Sequence, residues 1–361
     1  MIDIHKHISL KPYNTFAVDV QADFFVEVKN EQDIFDLIST DVFATQPRLI
    51  LGGGANILFT KDYEWLVVKV SLLGKNIVKE EGNMVYVQVW AGENRHEIMM
   101  RSLQQWYVWG ENLVSIPGNV WSAPVGNIGA YGKEAKDIIS AVEWIDIATK
   151  EKKTRSNSQC AFAYRDSIFK HELKDTIIIT AVTFVFQKQS SEYVPNIQYK
   201  DIQEHITLAE KNPTTISAQE VAKIIITIRE GKLPDRTKIG TAWSFFKNPV
   251  IEKEQFESLV VKYPQLKWNE VLTTTWTLET INWKLEIKNW KLIKLSAGQL
   301  IELAGYKGRT EWSVGTYEKH ALIIVNRGGA SGPAIRAFAQ AIQQKVFQLF
   351  WVKLEPEVII M

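Results

Sequence analysis

Three consecutive glycines, Gly52, Gly53 and Gly54, follow the apolar run "RLIL" and lead into "ANILF", and this constrains the fold more than any other stretch. A strand that ends in residues without β-carbons can turn sharply and let its N–H groups close around a phosphate. The spacing is not G-x-G-x-x-G and no P-loop lysine follows, so neither nucleotide fingerprint transfers; a plain glycine turn reads the same residues. A second loop of this character, "IPGNVWSAPVGNIGAYGKE" from Ile116 to Glu134, is rich in glycine, proline and small residues and poor in charge. Two such loops on separate sheet units favour a large cofactor whose pyrophosphate is held mostly by backbone donors.

The segments around these loops define the organisation. "FFVEVKN", the helical "EQDIFDLIST", "RLILGGGANILF" and "WLVVKV" predict a small α/β unit over 1–70. "MVYVQVWAG", the helical "HEIMMRSLQQW", the long glycine loop and the hairpin "AVEWIDIATKEKKTRS" predict a second unit over 71–215. A polar, proline-marked stretch from Gln189 to Thr215 reads as a boundary. Ser217 and Glu220 then form an S-x-x-E capping box that opens "AQEVAKIIITIREGK" and a third unit over 216–351. Near the end, Pro333 starts a helix whose Ile335, Phe338, Ile342, Val346 and Leu349 form a buried stripe. A chain of 361 residues exceeds one ordinary core, which agrees with this division.

Composition narrows the function. Forty-two basic and 41 acidic side chains leave a formal charge of +1, with no electrostatic footprint for nucleic acid or an anionic membrane. A single cysteine, Cys160, excludes an internal disulfide and a cysteine-based zinc site and fits a reducing cytoplasm. The start "MIDIHKHISLKPYNTF" has charges where a signal peptide needs an apolar core, and no apolar run reaches the ~18 residues of a membrane span.

Three further stretches carry chemistry. In "YRDSIFK", Arg165 offers a planar, permanently charged fork to carboxylates, or else a surface ion pair with Asp166. "TAWSFFKNP" supplies Ser244, and "LEPEVII" supplies Glu355 and Glu357. No G-x-S-x-G elbow surrounds Ser244, which disfavours hydrolase chemistry, yet a serine can still donate a proton.

Taken in order, "NTFAVDV", "LGGGANILF", "IPGNVWSAPVGNIGAYG", "YRDSIFK", "GKLPD", "SFFKNP", "SAGQLIELAGYKG" and "LEPEV" resemble the UDP-N-acetylenolpyruvoylglucosamine reductase (MurB) family almost end to end. The resemblance implies an α+β chain with a two-subdomain FAD-binding fold of the vanillyl-alcohol-oxidase type and a C-terminal α/β substrate-binding domain, the terminal strand of 352–361 returning to the first subdomain. Gly52, Gly53, Gly54, Ala55 and Asn56, with Pro117, Gly118, Asn127, Ile128 and Gly129, would hold a tightly but non-covalently bound FAD. Arg165 matches the family's catalytic arginine, Ser244 its proton donor and Glu357 its glutamate, with Glu355 as rival. Tyr199 resembles the diphosphate-binding tyrosine of the longer, Escherichia-type subclass, and Lys232 and Asn248 match further substrate positions. The implied partners are NADPH and UDP-N-acetylenolpyruvoylglucosamine, bound by a cytoplasmic monomer. A catalytically impaired FAD-binding homologue and a flavin oxidase of the same fold are the competing readings.

Tryptophan departs from the family pattern. Of 13 tryptophans, Trp65, Trp90, Trp121, Trp243, Trp312 and Trp351 stand where the pattern leads one to expect glycine. Two explanations are open: UGA codons read as glycine in the source organism, or a diverged lineage with compensating cavities.

Overall fold

The computed structural model describes residues 2–235, 237–273 and 290–361, so Trp276 and Trp283 lie outside the described residues. The described chain forms two compact units. The first comprises residues 1–13, 19–55 and 62–232; the second comprises 14–18, 56–61 and 233–361.

The first unit holds two sheets. A four-stranded sheet runs in the order His5–Ser9, Gln21–Val28, Tyr63–Val70, Arg48–Leu51, the first pair antiparallel and the others parallel. The helix Glu31–Ile38 makes the parallel crossover, capped by Asn30 with a reciprocal bond from Asp33, and buries Ile34, Leu37 and Ile38 as its periodicity predicts. A second, antiparallel sheet runs in the order Lys152–Ser156, Ile139–Asp146, Ile177–Lys188, Met84–Trp90, Lys75–Glu81. Its centre is "IIITAVTFVFQK", whose β-branched, nearly unbroken apolar run suits a strand buried on both faces. Asp146 and Lys152 end the two strands of the expected hairpin.

The expected boundary at 215/216 moves. The helix Ala218–Lys232, assigned by the sequence to a third domain, belongs to the first unit, because its buried Val221, Ile225 and Ile228 join that unit's core. The capping box itself is formed: Glu220 N–H donates to Ser217 Oγ at 3.2 Å and Ser217 N–H to Glu220 Oε2 at 3.0 Å.

The second unit has an antiparallel sheet in the order Gly240–Ser244, His320–Asn326, Val314–Tyr317, Thr310–Glu311 and a smaller one of Val250–Glu252, Trp290–Leu295 and Trp268–Thr273. The terminal strand Ile359–Ile360 pairs in parallel with Ile57–Leu58 within this unit. The helix Gly332–Phe350 carries Pro333 in its first turn and buries Ile335, Phe338, Ile342 and Val346; Phe350, rather than the expected Leu349, completes the stripe. Among the described residues no helix is long and apolar enough to cross a membrane.

Candidate functional site

The two glycine loops meet in the first unit. A β-carbon on Gly53 would stand 2.8 Å from Asn119 Oδ1 and 3.2 Å from Gly118 Cα, so the backbones of the two loops touch with no room for side chains. Gly54 and Gly118 adopt φ of 62° and 103°. The second loop is strung along residues 91–95: Trp121 N–H donates to Ala91 O, Val120 N–H to Glu93 O and Arg95 N–H to Gly118 O. Arg95 lies beneath, 4% exposed, its guanidinium donating to Pro117 O and to Ser122 Oγ at 3.1 Å, while its buried Nε meets no partner. Burial in this setting pushes the guanidinium pKa down.

Facing glycine backbones above a buried cation fit an anionic pyrophosphate in backbone and in charge. The indole of Trp121 intrudes on this cradle. Its Cδ1 lies too close to the place of a β-carbon on Gly52 for one to fit, with Nε1 3.0 Å from the same point.

Asn127, fully buried, locks the loop, its amide donating to Glu134 Oε2 and Ala163 O at 2.9 Å and its Oδ1 accepting from Lys136 N–H at 3.0 Å. Ile128 is half-buried, its carbonyl accepting from Ala135 N–H. A β-carbon on Gly129 would collide with Lys133 O at 2.5 Å, which is why only glycine serves there. Arg165, half-buried at φ 56°, reaches this loop: Nη2 donates to Gly129 O at 2.7 Å and Nη1 to Asn127 O at 3.4 Å. Its neighbour Asp166 receives His171 Nε2 at 2.8 Å.

Tyr199 and Lys232 belong to one polar cluster that the sequence shows only in part. Lys232 Nζ pairs with Asp201 Oδ2 at 2.6 Å, the Tyr199 ring stands edge-on to Tyr131 at 5.2 Å, and the Arg229 guanidinium neighbours the Tyr131 phenol. Burial raises both phenols above their usual range, opposed by Arg229 at Tyr131 and by Lys232 at Tyr199. Tyr131, Asp201 and Arg229 went unread because they sit on a loop and two helices distant in sequence. Arg229, three residues before Lys232 on one helix face, was the available signal.

In the second unit, Ser244 ends the strand Gly240–Ser244 just past an irregularity in its register, half-buried. The following residues pair with the C-terminal segment: Glu357 N–H donates to Phe245 O at 2.8 Å, Phe246 bridges Pro356, and Lys247 N–H donates to Glu355 O at 2.9 Å. Ser244 and Glu357 are thereby held on paired segments. Glu357 is half-buried and its carbonyl accepts from Asn56 Nδ2 at 3.1 Å, whereas the exposed Glu355 faces Lys247 Nζ at 3.4 Å. Asn248 Oδ1 accepts from Ala297 N–H at 3.0 Å, at the start of the helix Ala297–Leu303.

Known proteins match along the whole chain. Residues 22–152 match the family described as FAD binding domain, and residues 235–361 that described as UDP-N-acetylenolpyruvoylglucosamine reductase, C-terminal domain. The chain is 38% identical over 357 residues to the UDP-N-acetylenolpyruvoylglucosamine reductase of Flavobacterium johnsoniae, covering 99% of each. It is 38% identical over 356 residues to that of Chromobacterium violaceum, covering 98% of each. Among solved structures, the UDP-N-acetylenolpyruvylglucosamine reductase of Thermus caldophilus aligns with 100% of this chain and 99% of its own, at a TM-score of 0.65 and 19% identity, a likeness of fold.

Proposed function

The chain belongs to the UDP-N-acetylenolpyruvoylglucosamine reductase family, and from that membership we propose how its own residues carry the reaction. The protein is an FAD-dependent oxidoreductase that reduces the enolpyruvyl group of UDP-N-acetylenolpyruvoylglucosamine to UDP-N-acetylmuramate, a step of peptidoglycan precursor synthesis. FAD, when bound, supplies the hydride, taken from NADPH, to C3 of the enolpyruvyl group. Gly52 to Asn56 and Pro117 to Gly129 hold the cofactor; neither stretch contains the histidine or cysteine a covalent flavin needs, which supports a non-covalent mode.

Adding hydride at C3 leaves carbanionic charge at C2, spread onto the carboxylate. Arg165 holds that carboxylate, since a fixed planar fork suits an enolate better than a mobile ammonium does. Ser244 delivers the proton to C2. A hydroxyl is a weak acid, so delivery depends on placement at about 3 Å and on a fixed backbone. Glu357 orients the intermediate. Tyr199, Lys232, Tyr131 and Arg229 take the sugar-nucleotide diphosphate, two phenols and two cations suiting a doubly charged anion, and this cluster supports the Escherichia-type subclass reading. Asn248 fixes the adjoining part of the substrate. Work on NADPH and a nucleotide sugar supports a cytoplasmic location.

The observation that supports these roles best is the pairing of the Ser244–Lys247 segment with Glu355–Glu357. NADPH oxidation with and without the enolpyruvyl nucleotide, under air and without oxygen, tests the reading. Oxidation that needs the nucleotide and persists without oxygen supports it. Oxidation that needs oxygen alone indicates an oxidase, and none at all an impaired homologue.

A further inference from the structure

Five tryptophans sit on backbone that belongs to glycine. Among the described residues, 15 non-glycine residues have positive φ, and five of these are Trp106 (59°), Trp109 (92°), Trp243 (65°), Trp312 (56°) and Trp351 (56°). Asparagine, aspartate and histidine, the side chains that tolerate this region best, supply one each: Asn127, Asp175 and His7. A bulky aromatic is among the residues least suited to it, so this excess needs a cause.

Each position has a local geometry that calls for glycine. Trp106 follows the helix Arg95–Gln104 and its cap Gln105, and its N–H donates to Leu103 O at 3.1 Å, the closing bond of a helix end whose left-handed residue is usually glycine. Trp351 stands in the left-handed region at the end of the helix Gly332–Phe350, 72% exposed. Glu311 pairs with Val314, so Trp312 and Ser313 form a two-residue hairpin loop; only the first has positive φ, the pattern of a II′ turn with glycine first. Trp312 is 100% exposed, an indole with no packing to justify it. Trp243 lies inside a bulge, three steps along its strand from Thr241 to Ser244 answering two from Val325 to Ile323, where a left-handed glycine is the common solution. Its indole Nε1 is buried without a partner. Trp109 at φ 92° directs its N–H to the buried Glu111 carboxylate at 2.8 Å.

Trp144 and Trp268 behave differently. Trp144 is 2% exposed within the strand Ile139–Asp146, edge-on to Phe169 at 6.0 Å, and Trp268 begins a strand with its ring 4.9 Å from Phe256. Trp65, Trp90 and Trp121 have backbone that any residue accepts, so geometry leaves them undecided.

We propose that positions 106, 109, 243, 312 and 351 are glycine in the functional polypeptide, encoded by UGA codons that the source organism reads as glycine and the written sequence renders as tryptophan. Trp144 and Trp268 are then true tryptophans encoded by UGG. The two groups share a letter in the sequence and differ in backbone: the five have positive φ, whereas Trp144 and Trp268 stand in strands.

The test is the gene together with peptide masses of the protein purified from its own organism. The expected result is UGA with glycine mass at the five positions and UGG with tryptophan mass at 144 and 268. UGG, or tryptophan mass, at the five overturns the proposal. Independently, the chain carrying Trp106→Gly, Trp109→Gly, Trp243→Gly, Trp312→Gly and Trp351→Gly should melt about 10 °C or more above the chain as written. An equal or lower midpoint counts against glycine at these positions.

Discussion

The backbone N–H of Glu357 donates to the carbonyl of Phe245 at 2.8 Å, fixing the C-terminal glutamate alongside the residue that follows Ser244. Two groups separated by more than a hundred residues are thereby placed by backbone bonds, which vary less than side-chain contacts do.

The two glutamates on this segment differ in their surroundings. Glu355 is exposed and faces Lys247, an arrangement worth only about 0–1 kcal/mol, so Glu355→Gln should leave turnover within about twofold. Glu357→Gln should lower kcat by about 10²-fold or more with little change in flavin content. Steady-state kinetics on the two variants check this, and the reverse ranking would exchange their roles.

Arg165→Lys keeps the charge and loses the fork. Its guanidinium also holds the carbonyls of Asn127 and Gly129, so flavin content must be read beside activity. The expected outcome is a normal flavin band and kcat lower by about 10²–10³-fold, the cost of one preorganised donor to a developing anion. A lost flavin band would make the arginine a loop clamp instead.

Tyr199→Phe removes one donor to a charged ligand, worth about 1.5–3 kcal/mol, and should raise KM for the sugar nucleotide about tenfold to hundredfold. Reduction by NADPH alone should not change. Stopped-flow reduction without the nucleotide checks this second half.

Much of the site was legible because its segments are local. Gly52 to Gly54 and the Pro117 loop signal close backbone approach by the absence of side chains, and Ser217 with Glu220 predicts a cap that the structure forms. The Tyr131–Tyr199–Arg229–Lys232 cluster was legible only in part, because no spacing rule links a loop residue to two later helices. The helix Ala218–Lys232 was assigned to the wrong unit because its polar, proline-marked approach reads as a linker, whereas its apolar face packs backward onto the preceding core. Trp106 and Trp109 escaped notice because a backbone dihedral is not written in the residue letter.

The same cap sets a pH dependence. Lys211 and the N–H and hydroxyl of Ser217 hold the Glu220 carboxylate at a pKa of about 2, below its ordinary 4.5. A depressed folded pKa gives stability that is complete above the unfolded value and lost as pH falls from about 4.5 towards 2. The carboxylate is partly solvated, so the amount is modest. Glu220→Gln should therefore melt slightly below the parent at neutral pH, and the two should converge only as the pH falls from about 4.5 to about 2. Thermal midpoints across that range check the convergence.

The assignment of Ser244 as proton donor is tested most directly by resolving the two half-reactions of Ser244→Ala in the chain as its own organism makes it. Reduction by NADPH should proceed at nearly the parent rate, while reoxidation by the enolpyruvyl nucleotide should slow by about 10²–10⁴-fold. For the parent in D2O, the product should carry solvent deuterium at C2 and the NADPH-derived hydrogen at C3. Equal loss in both half-reactions, or reoxidation at the parent rate in Ser244→Ala, would contradict the account.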